Sequence, residues 1–214
     1  MKKIAVIYDL DQTILPTRSI PGDTFQPVFE AIKAANKGTV QETVLEKAFE
    51  ELWRKSMEVV AQEYNFSQAM FDAGKNALIH TDYQLVLKPF DDFEVIKEIP
   101  SKRFLVTTGL SKLQQAKIDA LFQPGDFEAV FIDDPYQENR LGKMTIFSQI
   151  AAQHQLTADQ VWIVGDNPDA EIAAGNALGM KTVQILRPGI AKGDTALHVI
   201  HSFHELKSLI AQDG

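Results

Sequence analysis

The sequence predicts an α/β fold, a doubly wound parallel sheet with an all-helical domain inserted after its first strand. Three observations carry this. An apolar, β-branched run opens the chain at Lys3–Tyr8, a block of helical periodicity spans roughly 16–88, and short apolar runs then alternate with helix-length segments from Asp91 onward. Strands separated by helices of that length need right-handed crossovers, which give a parallel sheet covered on both faces. The boundaries that follow are a core of 1–15 and 89–214 and an inserted helical domain of 16–88.

In chain order, Lys3–Tyr8 is a strand because it is apolar from Ile4 onward and the apolar run stops at Asp9. In the helical block, Phe25, Val28, Phe29 and Ile32 mark one helix. Leu45, Ala48, Phe49, Leu52 and Trp53 mark a longer one, with Thr39-Val40-Gln41-Glu42 as its capping box. A third covers Gln68 to Leu78 with Ser67 as N-cap. Beyond it, Asp91–Glu94 opens a short helix, Arg103–Thr107 is a strand, and Ser111-Lys112-Leu113-Gln114 caps the next helix. Strand 129–132, helix 145–153, strand 161–164, helix 169–178 and strand 182–185 complete the alternation. Parallel sheets bind ligands outside the carboxyl ends of their strands. Three strand ends run into polar residues there: Asp9 and Asp11, Thr107 and Thr108, and Asp166.

Composition narrows the function. A net charge of −8 disfavours a nucleic-acid polymer as partner, which needs a basic surface. A small anionic substrate stays open, because a metal ion and one lysine reverse a local field. The absence of cysteine excludes thiolate catalysis and thiolate metal sites and favours a reducing compartment. Lys2 and Lys3 followed by Ile4–Tyr8 mimic the start of a secretory leader, but the apolar run is too short. No stretch approaches a membrane span, so a cytoplasmic location is expected.

The chemistry-bearing residues begin with Asp9-Leu10-Asp11-Gln12-Thr13. In extended geometry the two aspartates project together, and like charges held close repel unless a cation sits between them or the pair does chemistry. One carboxylate can attack an electrophile while the other moves a proton, and an oxygen-rich pair suits Mg²⁺. Alone, the pattern equally fits two solvated turn carboxylates. Val164-Gly165-Asp166 adds a carboxylate at a buried strand's end, with Asp169 and Glu171 in the next helical turn, where the dipole favours acids anyway. Thr107-Thr108-Gly109 before a helix offers an anion cradle or an ordinary turn, and Lys143 follows Gly142 at a helix start.

The order of these groups resembles that of the haloacid dehalogenase superfamily of phosphohydrolases, along the whole chain. The resemblance implies a Rossmann-like core and places 16–88 where that superfamily inserts a C1-type helical cap. It implies that Asp9 is the nucleophile that takes the phosphoryl group, and that Asp11 protonates the leaving oxygen and then activates water. Mg²⁺ would be held by Asp9, the Asp11 carbonyl oxygen and Asp166, with Glu171 supporting. Thr107, with the amides of Thr108 and Gly109, would bind phosphoryl oxygens, and Lys143 would neutralise charge. Members that break carbon–halogen bonds lack an aspartate at the place of Asp11, so its presence favours phosphate esters. Two departures stand out. Lys143 is not followed by proline, which leaves Arg140 as a rival, and the last acid is Glu171, a duty Asp169 can share.

The expected activity is therefore Mg²⁺-dependent hydrolysis of a small phosphorylated metabolite. A phosphomutase of the same superfamily is the alternative. A phosphoacceptor signalling module, like a receiver domain, is a third, and the helical insertion argues against it. A metal-binding D-x-D of a sugar transferase would leave Thr107, Lys143 and Asp166 unexplained. Arg18 is a candidate for meeting the substrate's charge. Gly175–Thr182 mimics a phosphate-binding loop with the wrong spacing and order, and His198, His201 and His204 should not converge on a metal.

Overall fold

A computed structural model describes residues 3–53 and 55–213; Lys2 lies outside them. The chain divides into two compact units, one of residues 1–16 and 88–214 and one of 17–87.

The first unit is built on a parallel six-stranded sheet of order β3-β2-β1-β4-β5-β6. The strands are β1 (Ala5–Tyr8), β2 (Lys102–Thr108), β3 (Ala129–Asp133), β4 (Val161–Gly165), β5 (Lys181–Ile185) and β6 (His198–Ile200). The central strands β1 and β4 are buried along their whole length, as expected of a parallel sheet covered on both faces. One core cluster joins Ala5, Ile7, Phe104, Val106, Val161 and Ile163 to Ile146, Phe147 and Ile150 of a covering helix. The order of connection reverses between β1 and β4, the switch point where such sheets leave a crevice. The site residues gather there.

Two polar contacts brace this end of the sheet. Ile14 and Phe90, which flank the insertion, are hydrogen-bonded at 2.8 Å. The buried Arg187 guanidinium donates to Thr13 O at 3.0–3.1 Å and grips the Asp92 carboxylate at 2.8–2.9 Å. The first glycine of the stretch that mimicked a phosphate loop has a packing cause. A Cβ on Gly175 would meet Thr182 Cγ2 at 2.7 Å and Ile163 Cγ1 at 2.9 Å, so the glycine lets its helix lie close on β4 and β5.

The second unit is helical: α1 (Gln26–Ala35), α2 (Glu42–Glu51), α3 (Met57–Glu63) and α4 (Gln68–His80). Phe29 stacks on Phe49 with centroids 4.5 Å apart, and Phe25 meets Trp53 edge-on at 4.8 Å. Ser67 caps α4 as its sequence predicts. The Thr39 capping box does not form: Gln41 is the N-cap of α2 and no side chain bonds there, while Trp53 lies past the helix end. The short α3, capped by Ser56, has too few turns to declare a period in the sequence. No described helix is long and apolar enough to cross a membrane.

Candidate active site

Asp9 is the first residue beyond β1, and its N–H donates to Val164 O of β4 at 2.9 Å. That bond carries the sheet one residue past its apolar run and sets a carboxylate at the switch point. Lys143 is the first residue of α6 (Lys143–Gln153), so its side chain starts from a fixed helical turn. Its Nζ lies 2.6 Å from Asp9 Oδ1 and 2.7 Å from Glu171 Oε2. Glu171 sits in a wide π-turn, Pro168–Ile172, ahead of α7 (Ala173–Ala177), where the sequence predicts one helix over 169–178. Such turns recur at functional sites. Here it lets the Glu171 side chain fold back over Gly165, and Oε1 accepts the Asn167 N–H at 2.7 Å. A Cβ on Gly165 would stand 2.2 Å from Glu171 Cγ, which only glycine avoids.

Carboxylate oxygens of Asp9, Asp166 and Glu171 lie within 4.8 Å of one another. Asp169 is exposed and outside this cluster, so Glu171 does not share its place. Three acids face one ammonium. Burial pushes Asp9 up to about 7, Glu171 and Asp11 add to the shift, and Lys143 opposes it. Burial likewise pushes Asp166 up to about 8, with Asp9 and Glu171 adding and Lys143 opposing. Burial works against the Lys143 ammonium, but Asp9 and Glu171 overcome it and hold the proton more firmly than usual. The cluster is short of positive charge, and all its donor atoms are oxygens, which fits a hard divalent cation. Among the described residues no side chain donates to the Asp166 carboxylate, and no N–H donates to the Asp11 carbonyl oxygen.

Asp11 lies close enough to Asp9 to add to its upward shift, but its carboxylate is not paired with Lys143. After Asp11 the chain curls: Leu10 O accepts the N–H groups of Thr13, Ile14 and Leu15, and Gln12 takes a φ of 55°. The Asp11 carboxylate is held instead by α5 (Ser111–Leu121), with Lys117 Nζ 2.9 Å from both its oxygens and Gln114 Nε2 3.1 Å from Oδ2. Gln114 Nε2 also donates to Thr107 Oγ1 at 2.5 Å. Thr107 is buried at the end of β2, while the Thr108 hydroxyl turns to Asp133 at 3.3 Å. The Gly109 N–H donates to Asp133 O at 3.2 Å, so that amide of the expected cradle already has an acceptor.

The expected Ser111 capping box is not formed. Ser111 is inside α5, its N–H donates to Asp134 Oδ2 at 2.8 Å, and the Gln114 side chain serves the site. Arg140 is committed elsewhere as well. Its Nε and Nη2 lie 2.9–3.1 Å from Asp133, whose Oδ1 also takes the Gly142 N–H at 3.0 Å. Burial would raise Asp133, but Arg140 and the Gly142 amide hold it below the usual carboxylate range. Arg140 thus anchors the loop before α6, and Lys143 reaches the acids. Arg18 pairs with Glu50 at 2.7 Å, both side chains being exposed. Within the histidine group, His198 stacks on Trp162 and His201 and His204 are exposed. The acidic trio is the metal-ligand cluster among the described residues.

Gln114, Lys117 and Asp133 are the polar residues the sequence reading missed. A signal for the first two exists: Gln114, Lys117, Ile118 and Leu121 lie at i, i+3, i+4 and i+7, a core-facing stripe with two polar members at one end.

The family model of haloacid dehalogenase-like hydrolases matches residues 6–185. No curated protein matches the chain. Among solved structures, it is similar to a HAD phosphatase from Thermococcus onnurineus, with 18% identity, 98% of each chain covered and a TM-score of 0.63. It is similar to a 2-haloacid dehalogenase from Pseudomonas syringae pv. Tomato DC3000, with 16% identity, 100% of each chain covered and a TM-score of 0.60. The HAD-hydrolase YfnB from Bacillus subtilis, bound to magnesium, gives 15% identity over 98% of this chain and 99% of its own, with a TM-score of 0.61. These likenesses are of fold. By the family match, the chain belongs to the haloacid dehalogenase-like hydrolases.

Proposed function

We propose that this haloacid dehalogenase-like hydrolase is a Mg²⁺-dependent phosphatase that cleaves a small phosphomonoester through an aspartyl-phosphate on Asp9. The observation that supports this most is the different partners of two carboxylates from one loop. Asp9 lies against Lys143 among the acidic trio, and Asp11 is held by Lys117 and Gln114. A nucleophile and a proton carrier need such different surroundings, and a dehalogenase of this fold would need no acid at Asp11.

The chain's own residues take these parts. An Asp9 oxygen attacks phosphorus while the bond to the leaving oxygen breaks and Asp11 delivers a proton to that oxygen. Asp11 then takes the proton of the water that hydrolyses the acyl-phosphate, which restores Asp9 and releases phosphate. Lys143 lies on the nucleophile and offsets charge there, and the Thr107 hydroxyl donates to a phosphoryl oxygen. Mg²⁺, held by Asp9, Asp166 and the Asp11 carbonyl oxygen with Glu171 supporting, would neutralise the phosphoryl oxygens. The cysteine-free composition suits a cytoplasmic setting for this activity.

The test is release of phosphate from a panel of phosphomonoesters with Mg²⁺ and with excess chelator. Multiple turnovers that stop in chelator are expected. Isomerised sugar phosphate with little free phosphate would make the protein a mutase, and no turnover on any ester would remove the enzymatic reading.

A further inference from the structure

We propose that Gln114 and Lys117, neighbours on one face of α5, are positioning residues that set the proton carrier and the phosphoryl donor together. The proposal deepens the phosphatase reading and rests on it.

Both side chains are buried, at 1% and 5% exposure, although α5 carries aliphatic residues that could have filled those places. Burying an amide and an ammonium is costly unless each finds partners. Both find them in the site. Lys117 Nζ is equidistant, at 2.9 Å, from the two oxygens of Asp11, so one ammonium holds both ends of the carboxylate. A carboxylate so held keeps one orientation while it gives a proton and later takes one.

Gln114 acts on the hydroxyl. Its Nε2 faces three acceptors, Asp11 Oδ2, Thr107 Oγ1 and Thr108 O, at 3.1, 2.5 and 3.4 Å. A carboxylate and a carbonyl oxygen cannot donate, so the amide is oriented with its nitrogen toward them. Thr107 Oγ1 must then accept from Gln114, and its own proton is left to donate away from α5. An ambivalent hydroxyl becomes a committed donor for a phosphoryl oxygen. One helix face thereby couples the residue that handles the leaving group to the residue that handles the phosphoryl group.

The two contacts predict different kinetic patterns. Lys117→Met loosens Asp11, so kcat on an alkyl phosphate should fall about 10–100-fold while an activated aryl phosphate, which needs little acid assistance, changes about 3-fold or less. Lys117→Arg should recover part of the alkyl rate. Gln114→Met frees the Thr107 hydroxyl to turn while Lys117 still holds both Asp11 oxygens, so both esters should lose about the same factor, on the order of 10-fold, because they share the phosphoryl group. Damage to the fold alone would lower both esters equally in both variants, without rescue by arginine. Thermal unfolding of each variant identifies any that does not fold. If Lys117→Met does not, Lys117→Arg and Gln114→Met carry the test by the same patterns. Equal losses in Lys117→Met, unchanged rates in either variant, or a leaving-group-dependent loss in Gln114→Met would overturn the assignment. Wild-type protein inactive on every ester would overturn the phosphatase reading, and this inference with it.

Discussion

Asp9 and Asp11 are two residues apart and each carries a lysine ammonium within 2.9 Å, yet their surroundings are opposite in charge balance. Around Asp9, three carboxylates share Lys143, and burial pushes Asp9 and Asp166 toward holding protons near neutral pH. Around Asp11, one carboxylate meets one lysine and one neutral amide, and its side chain is 28% exposed. The Asp11 side is complete as folded. The Asp9 side is left short of positive charge, which is what a site does when a cation and an anionic group are to bind there. Asp11 still adds to the upward shift of Asp9, and each of the two acids has a lysine of its own.

The largest effect expected from breaking this contrast is at Asp9. Asp9→Asn should lower phosphate release by on the order of 10⁴-fold or more, since an amide is no nucleophile. The same variant removes one of three crowded acids, so its melting temperature in chelator at pH 8 should be no lower than that of wild type. A drop in both would mean that Asp9 is a structural residue.

Asp11→Asn should spare the nucleophile and remove both proton transfers. Loss on an alkyl phosphate of ~10²–10⁴-fold, and a much smaller loss on an aryl phosphate, is expected from general acid–base catalysis. Equal losses on both esters, measured at one Mg²⁺ concentration, would take the acid role from Asp11.

The two lysines sharpen the contrast in stability. Lys143→Met strands buried acids, at 3% and 8% side-chain exposure, and should cost ~3–5 kcal/mol at pH 8 in chelator. Lys117→Met leaves Asp11 able to reach water, and about 1 kcal/mol is expected. Denaturant unfolding of both variants decides, and equal costs would show that the two sides are alike.

Linkage gives a further contrast. Asp9 and Asp166 keep protons up to about 7 and about 8 in the fold, against about 3.9 for an unfolded aspartate. The folded state therefore binds more protons between those values, and metal-free stability should fall as pH rises from ~4 to ~8. Mg²⁺ at a hundredfold excess over its Kd should return ~2.7 kcal/mol, or roughly 5–10 °C in melting temperature for a chain of this size. The gain should be larger at pH 8 than at pH 5 and absent in Asp166→Asn. A gain independent of Asp166 would place the ion elsewhere.

Much of this was readable along the chain. The parallel sheet follows from uninterrupted apolar runs such as Val161–Val164, and the family from the spacing of Asp9, Thr107, Lys143 and Asp166. The misreadings share one cause. Thr39-Val40-Gln41-Glu42 and Ser111-Lys112-Leu113-Gln114 are capping patterns by composition, but a helix start is set by which side chain reaches the free N–H groups. At α5 that side chain is Asp134, from beyond β3. Extended geometry ends after Asp11, where Leu10 O gathers the N–H groups of Thr13, Ile14 and Leu15 into a turn.

Periodicity and short motifs are local, so the amino-acid order alone settled the fold class and nominated Asp9, Asp11, Thr107, Lys143, Asp166 and Glu171. The pairing of those groups is not local. Lys143 meets Asp9 across 134 residues and Lys117 meets Asp11 across 106, and Asp133 rather than the acidic trio claims Arg140. Which ammonium reaches which carboxylate depends on where helices land on a finished sheet, and burial, the main cause of the shifts at Asp9 and Asp166, exists only once that sheet is covered.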